Sequence, residues 1–295
     1  MSRTSNTRIP FLLIALMLLA FLLRTIGAGE SSPYVPDTQI MREGLQIGQR
    51  LSGDSSVTIE QKYPMFLPVT LLSAYGGLFG VGLIAGRFDS LGVFTHFLFT
   101  ERDTVYVVGV IALNIINITL IPLLFMVSRR LDRRHLGWIA AGFAAFNLLL
   151  VQFGHQPRPH VPLASLSALA VAALVYVGLG ANWRWMLAAA VLSALTVGTL
   201  QSGVLIVLPF ALAWIARLYN PETKHMDWHR LFGVGSIAGV LLFAGLSIAL
   251  YPTLIGEIIG LARNALNDGQ FHLGGSVHSF STQMFGLNNI PAFAG

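Results

Sequence analysis

From residue 104 onward the chain divides into long stretches without a single charged side chain: 104–127, 136–154, 161–182, 186–216 and 231–251. In lipid every backbone polar group has to be satisfied within the segment, so an uncharged run of roughly 20 residues forms a helix that crosses the bilayer. Five such runs in series leave little room for any class but a polytopic helical membrane protein. Composition agrees: 54% of residues are hydrophobic and only 11% charged, against about a quarter charged in soluble domains. The absence of cysteine excludes disulfides, thiolate metal sites and a cysteine nucleophile. The net charge of +5 does not indicate nucleic acid, because the basic residues cluster in short connectors beside apolar runs, as membrane topology requires.

Residues 1–8 are basic and 9–28 are apolar apart from Arg24. We read this as an uncleaved first helix with its N-terminus inside, rather than a cleaved signal peptide. Arg24 is expected near the outer end, its stem letting the guanidinium reach the interface. The run 186–216 is too long for one comfortable span at about 1.5 Å per residue. Gly198-Thr199-Leu200-Gln201-Ser202-Gly203 interrupts it, so two helices are expected there.

Residues 65–86 are apolar enough to be a span, and loop charge arbitrates. The basic connectors are SRRLDRRHLG at 128–137, the turn carrying Arg184, and 217–230 with Lys224. If 65–86 crosses, all three fall outside, against the positive-inside rule. If it is an interfacial or re-entrant helix, all three fall inside with the N-terminus. The expected fold is therefore all-α and polytopic, with about seven transmembrane helices plus interfacial helices in a long first extracytoplasmic loop. Residues 29–103 form that loop, 104–251 the helix bundle, and 252–295 a second extracytoplasmic loop, all within one transmembrane domain spanning 1–295.

Within the first loop, residues 38–51 have amphipathic periodicity, with Ile40, Met41, Leu45, Ile47 and Leu51 on or near one face and Glu43 turned to water. Asp37 precedes this helix, where a carboxylate can cap free N–H groups. Gly76-x-x-x-Gly80 and Gly82-x-x-x-Gly86 suit close helix packing. The glycines of GGLFGVG lack the strand-then-helix setting of a dinucleotide loop. The topology brings this loop and the connector 154–160, GHQPRPH, to one face of the membrane.

The order of parts resembles the integral-membrane GT-C glycosyltransferases, and more narrowly the protein O-mannosyltransferases and the lipid A aminoarabinose transferase. The matching pieces are the early apolar helix, YVPDTQIMREGLQIGQRL, QKYPMFLPVTLLSAYGGLFGVG, a span ending in SRRLDRRHLG, and FGHQPRPHVPLA. The resemblance implies a glycosyltransferase that moves a sugar from a polyprenyl-phosphate carrier to a lipid, glycan or protein acceptor. It implies a bacterial inner-membrane location with an extracytoplasmic site, and Asp37 as the catalytic base. Three positions depart from the pattern. Val110 stands where relatives carry arginine, Leu200-Gln201-Ser202-Gly203 where they have a lysine-containing motif, and His160 where an acid is common. Relatives also continue beyond NNIPAFAG with further helices, so an N-terminal portion is expected.

Transfer to a hydroxyl needs a base for the acceptor proton and cations for the departing phosphate. Asp37 is the candidate base, its plainer role being a helix cap. Arg158 and Lys62 are candidates for the phosphate, with contact to lipid headgroups as the plainer role. His155 and His160 could bond phosphate, or hold a metal with Asp37. Two histidines and a distant carboxylate do not make a metal motif, so no metal ligand set is assigned and a divalent cation is left open. Tyr63 could stack on a sugar or sit as an interfacial aromatic; Glu60 and Glu43 are alternative acids. Expected partners are the lipid-linked sugar and membrane lipids, not nucleic acid. A transporter and a non-catalytic binder of the lipid carrier are the competing functions.

Overall fold

The computed structural model describes residues 8–28, 35–59, 63–130, 134–179, 182–217, 219–220, 225–226, 228, 232–257 and 259–260. Glu60, Lys62, Arg133, Lys224, His272 and His278 lie outside the described residues. The described chain is helical apart from one short antiparallel pairing, Tyr219–Asn220 with His225–Met226. Among the described residues three helices are long and apolar enough to cross a membrane: Phe66–Ile84, Arg102–Arg129 and His160–Gly178. A fourth candidate is the pair His135–Phe146 and Leu148–Gly154, bent by 43°. Shorter apolar helices make up the rest. This is a membrane protein.

In chain order the helices are α1 (Arg8–Thr25), α2 (Val35–Leu51), α3 (Phe66–Ile84), α4 (Leu91–Thr100), α5 (Arg102–Asn117), α6 (Leu120–Arg130), α7 (Arg134–Phe146) and α8 (Leu148–Gly154). Then follow α9 (His160–Gly178), α10 (Trp183–Val197), a 3₁₀ turn (Gln201–Ile206), α11 (Val207–Ala216) and α12 (Val234–Leu250). Prolines 36, 68, 162 and 209 each fall in the first turn of a helix, where the missing N–H would have had no partner anyway. Pro122 holds the same place in α6: it cannot donate to the Ile118 carbonyl, and the run from Arg102 to Arg129 is interrupted at Ile118–Thr119 between α5 and α6. At the α7–α8 bend Asn147 Oδ1 accepts from the Leu150 N–H at 3.1 Å and restarts the helix. Gly27 and Gly86, at φ of +81° and +67°, end α1 and α3 in the left-handed region that glycine enters freely.

The break expected within 186–216 is present: α10 ends at Val197 and α11 begins at Val207. Gly203 folds back so tightly that a Cβ there would collide with the Thr196 carbonyl. The doubling-back makes α10 and α12 parallel neighbours. A Cβ on Gly235 would reach Trp183 at 2.6 Å, one on Gly239 would reach Met186 at 2.5 Å, and Gly198 meets Leu250 at the far end. Small residues let these helices approach closely, the main source of helix association in lipid. Phe210 and Phe243 stack at 4.3 Å, and Tyr176 stacks on Trp185 at 4.5 Å across the α9–α10 turn. The bundle thus has a Trp183 end and a His160 end, the latter gathering the start of α9 and the ends of α10 and α12.

Helix α3 begins at the His160 end. The Met65 N–H donates to the Leu250 carbonyl at 2.6 Å and the Phe66 N–H to the Gly198 carbonyl at 2.9 Å. Unpaired N–H groups of one helix start thereby satisfy unpaired carbonyls of two helix ends. Leu71 and Tyr75 then pack beside Gly109 in α5, and Phe79 meets Phe94 of α4 at 5.0 Å.

Four expectations for the first loop need correction. Helix α2 starts at Val35, so Asp37 lies within its first turn rather than before it. Glu43 does not face water: it is 1% exposed, and its Oε1 accepts from Gln39 Nε2 at 3.1 Å. Ile40, Met41 and Ile47 are buried as expected, whereas Leu51 is exposed. The close-packing glycines are Gly44 and Gly48 of α2, whose Cβ atoms would reach the Pro68 carbonyl and Leu72 at 2.8 Å. Gly76, Gly80 and Gly86 face open space, and Gly82 covers only the ring of Phe88.

Candidate functional site

The candidate site is at the His160 end, where α1, α2, α5, α8 and the connector 155–159 meet. Its scaffold is the first half of α5. Val105, Tyr106 and Val110 are buried in one apolar cluster with Ile40 and Met41 of α2 and Leu67, Leu71 and Tyr75 of α3. Gly109 opens the α5 surface to Met41, Leu71 and Tyr75, all within 4 Å of where its Cβ would stand. One turn earlier on the same face, α5 holds the connector, with the Tyr106 hydroxyl donating to the His155 carbonyl at 3.4 Å. The helix that bears Asp37 and the connector that bears Arg158 therefore dock on the same turns of α5. The Asp37 side chain itself lies outside the described residues.

The remaining candidates divide by what holds them. Tyr63 is half-buried against the α2–α3 cluster, a packed position rather than an open stacking platform. His155 Nε2 donates to the Leu23 carbonyl at 2.9 Å, so that nitrogen ties the connector to α1 and is spent. Arg158 is half-buried with its guanidinium carbon 5.8 Å from the centre of the Phe153 ring, a cation–π distance. His160 is exposed at the first position of α9. Among the described residues no three His, Asp or Glu side chains come together as a metal-ligand set.

Beneath the connector is a polar cluster built on Arg24, Asn114, Asn117 and Ser165. Arg24 is fully buried, correcting the expectation that it reaches the interface. Its Nη2 donates to the Ala144 carbonyl at 2.7 Å, and its stem packs on Gly154, where a Cβ would lie 2.9 Å from Arg24 Cβ and Cγ. Asn114 Nδ2 donates to the carbonyls of Arg24 and Gly154, at 3.0 and 2.8 Å. Asn117 Nδ2 donates to Asn114 Oδ1 at 3.0 Å, and the Ser165 hydroxyl donates to the Asn117 carbonyl at 3.4 Å. The available signal was two amides three residues apart inside an uncharged run, because polar groups in a span face protein rather than lipid.

Val110 is fully buried among apolar side chains. Gln201 opens the 3₁₀ turn, and His160 opens α9. Below the 3₁₀ turn lies a largely apolar groove of about 340 Å³, lined by Leu163, Ser167, Ser202, Leu205, Ile206 and Pro209. No protein-family model, no curated protein and no solved structure matches this chain.

Proposed function

We propose that the chain is a membrane-embedded glycosyltransferase, or the N-terminal portion of one, that takes a sugar from a polyprenyl-phosphate carrier at the extracytoplasmic face. The observation that carries this reading is the shared docking of α2 and the 155–159 connector on the first turns of α5: Met41 beside Gly109, and Tyr106 bonded to the His155 carbonyl. An acid on one element and a cation on the other are thereby held at one end of the bundle, where base and phosphate clamp have to act together. In this reading the legs are α1, α5–α6, α7–α8, α9, α10, α11 and α12, seven in all, and the His160 end is outside. Helix α3 is sunk in the outer leaflet. Its backbone bonds to Leu250 and Gly198 at one end and its aromatic contact with α4 at the other support that placement.

Asp37 is the proposed base, Arg158 and Lys62 the proposed phosphate contacts, and His160 a further polar group at the mouth. The test is consumption of lipid-linked sugar by membranes carrying the parent chain or Asp37→Asn. Turnover that is equal in the two removes Asp37 from the chemistry.

One observation favours a second reading. Val110 is packed on all sides by apolar groups, so the place where the resembling enzymes have an arginine holds no cation. A chain that binds the lipid carrier without transferring its sugar fits that arrangement. Saturable binding of polyprenyl phosphate with no transfer, in the presence of every acceptor class, would select it.

A further inference from the structure

We infer that Arg24 is the core of a buried oxyanion site, recognising a phosphate group at the His160 end of the bundle. The inference concerns binding alone and stands whether or not the chain transfers sugar. Arg24 is 0% exposed, and its Nη2 donates to the Ala144 carbonyl. Its Nε and Nη1 make no hydrogen bond among the described residues. A guanidinium keeps its proton in proteins, and a buried charge without a compensating group is among the costliest features a fold can hold.

The surrounding structure is shaped to keep it there. Gly154 leaves room for the stem, since any Cβ would come within 2.9 Å of it. Asn114 fixes the carbonyls of Arg24 itself and of Gly154, and His155 fixes Leu23 just before it. Four helices thus converge on one cation whose unspent donors suit the oxygens of a phosphate, which guanidinium binds through paired N–H groups. The location fits as well. Arg24 is one residue from the end of α1, beside the exposed apolar surface of Leu22 and Ile26, and basic pockets between spans near the headgroup level take up lipid phosphates.

The shared chemistry is a phosphate oxyanion, carried by a lipid or free in solution. The test uses the full chain purified in an uncharged detergent. Its melting temperature is followed against dodecyl phosphate, inorganic phosphate and sodium chloride at matched ionic strength, and bound dodecyl phosphate is counted by native mass spectrometry. We expect saturable stabilisation with one bound equivalent. Arg24→Met should weaken it by about tenfold or more, as the loss of charge-assisted hydrogen bonds implies, and Arg24→Lys should retain part of it. Response to dodecyl phosphate alone assigns the site to a lipid, and equal response to inorganic phosphate assigns it to the free anion. Wild-type protein that melts identically in all three solutions overturns the proposal, even if Arg24→Met does not fold. So does Arg24→Met that folds and binds like the parent, which would leave Arg24 as a structural cation solvated by buried water.

Discussion

Asn114 caps Arg24: its side-chain amide donates to the Arg24 carbonyl at 3.0 Å, and the same nitrogen donates to the Gly154 carbonyl at 2.8 Å. Both carbonyls belong to the last turn of a helix, where no intrahelical donor remains, so one residue of α5 closes the ends of α1 and α8 together. Replacing it by the near-isosteric leucine leaves two buried carbonyls without partners. Each such loss costs about 1–3 kcal/mol in soluble proteins, whereas hydrogen bonds between membrane helices average about 0.6 kcal/mol. Asn114→Leu is therefore expected to lose roughly 1–3 kcal/mol, read as a lower denaturation midpoint in mixed micelles. An unchanged midpoint would show that these bonds do not hold the two helix ends.

The glycines give a paired prediction, because their environments differ sharply. At Gly154 an added methyl meets the Arg24 stem at 2.9 Å, and at Gly44 it meets the Pro68 carbonyl at 2.8 Å. Neither obstacle is the free end of a flexible side chain, so Gly154→Ala and Gly44→Ala are expected to destabilise by about 1–3 kcal/mol through overpacking. Gly76 has nothing within 4 Å, and Gly76→Ala should be neutral or gain up to about 1 kcal/mol from helix propensity. Equal melting temperatures for all three variants would mean that α2–α3 and α1–α8 are not packed as described.

The contrast among these glycines also shows how far the sequence could be read. Charge parity between the connectors required a break inside 186–216, and the chain doubles back there at Gly203. The periodicity of α2 was visible too, with Ile40 and Ile47 on one face. Glu43 is three residues after Ile40 and four before Ile47, so helical spacing already put it on the buried face; its charge argued for water, and the covering helix α3 won. Glycine spacing in α3 looked like a packing motif, yet spacing shows which residues align and not which neighbour is present. Arg24 fails to reach the interface for the same reason: no sequence rule announces that Gly154 and Ala144 will enclose it.

The two acids of α2 are expected to give different outcomes. Glu43 is buried and accepts from Gln39 of its own helix, while Asp37 lies in the first turn of the helix. Losing a general base typically lowers turnover by about 10²–10⁴-fold. Asp37→Asn is expected in that range, with Glu43→Gln within about threefold of the parent once corrected for the amount of folded protein. Loss of lipid-linked sugar turnover in Glu43→Gln alone would move the chemistry to the buried acid.

The placement of α3 makes a prediction that needs no activity. Asp54, in the turn after α2, and Asp89, between α3 and α4, are both exposed, as is Arg129 at the far end of α6. The chain has no cysteine, so single cysteines at these positions can be labelled without background. If α3 stays in the outer leaflet, Asp54→Cys and Asp89→Cys react with a membrane-impermeant maleimide in intact cells, and Arg129→Cys reacts only after permeabilisation. A helix of 19 residues, as α3 is, extends about 28 Å and could reach the other face if it crossed. In that case Asp54→Cys and Asp89→Cys would label from opposite sides. Parity would then carry α5 the other way, placing the Asp37 helix and the Arg158 connector across the bilayer from each other and ending the catalytic reading.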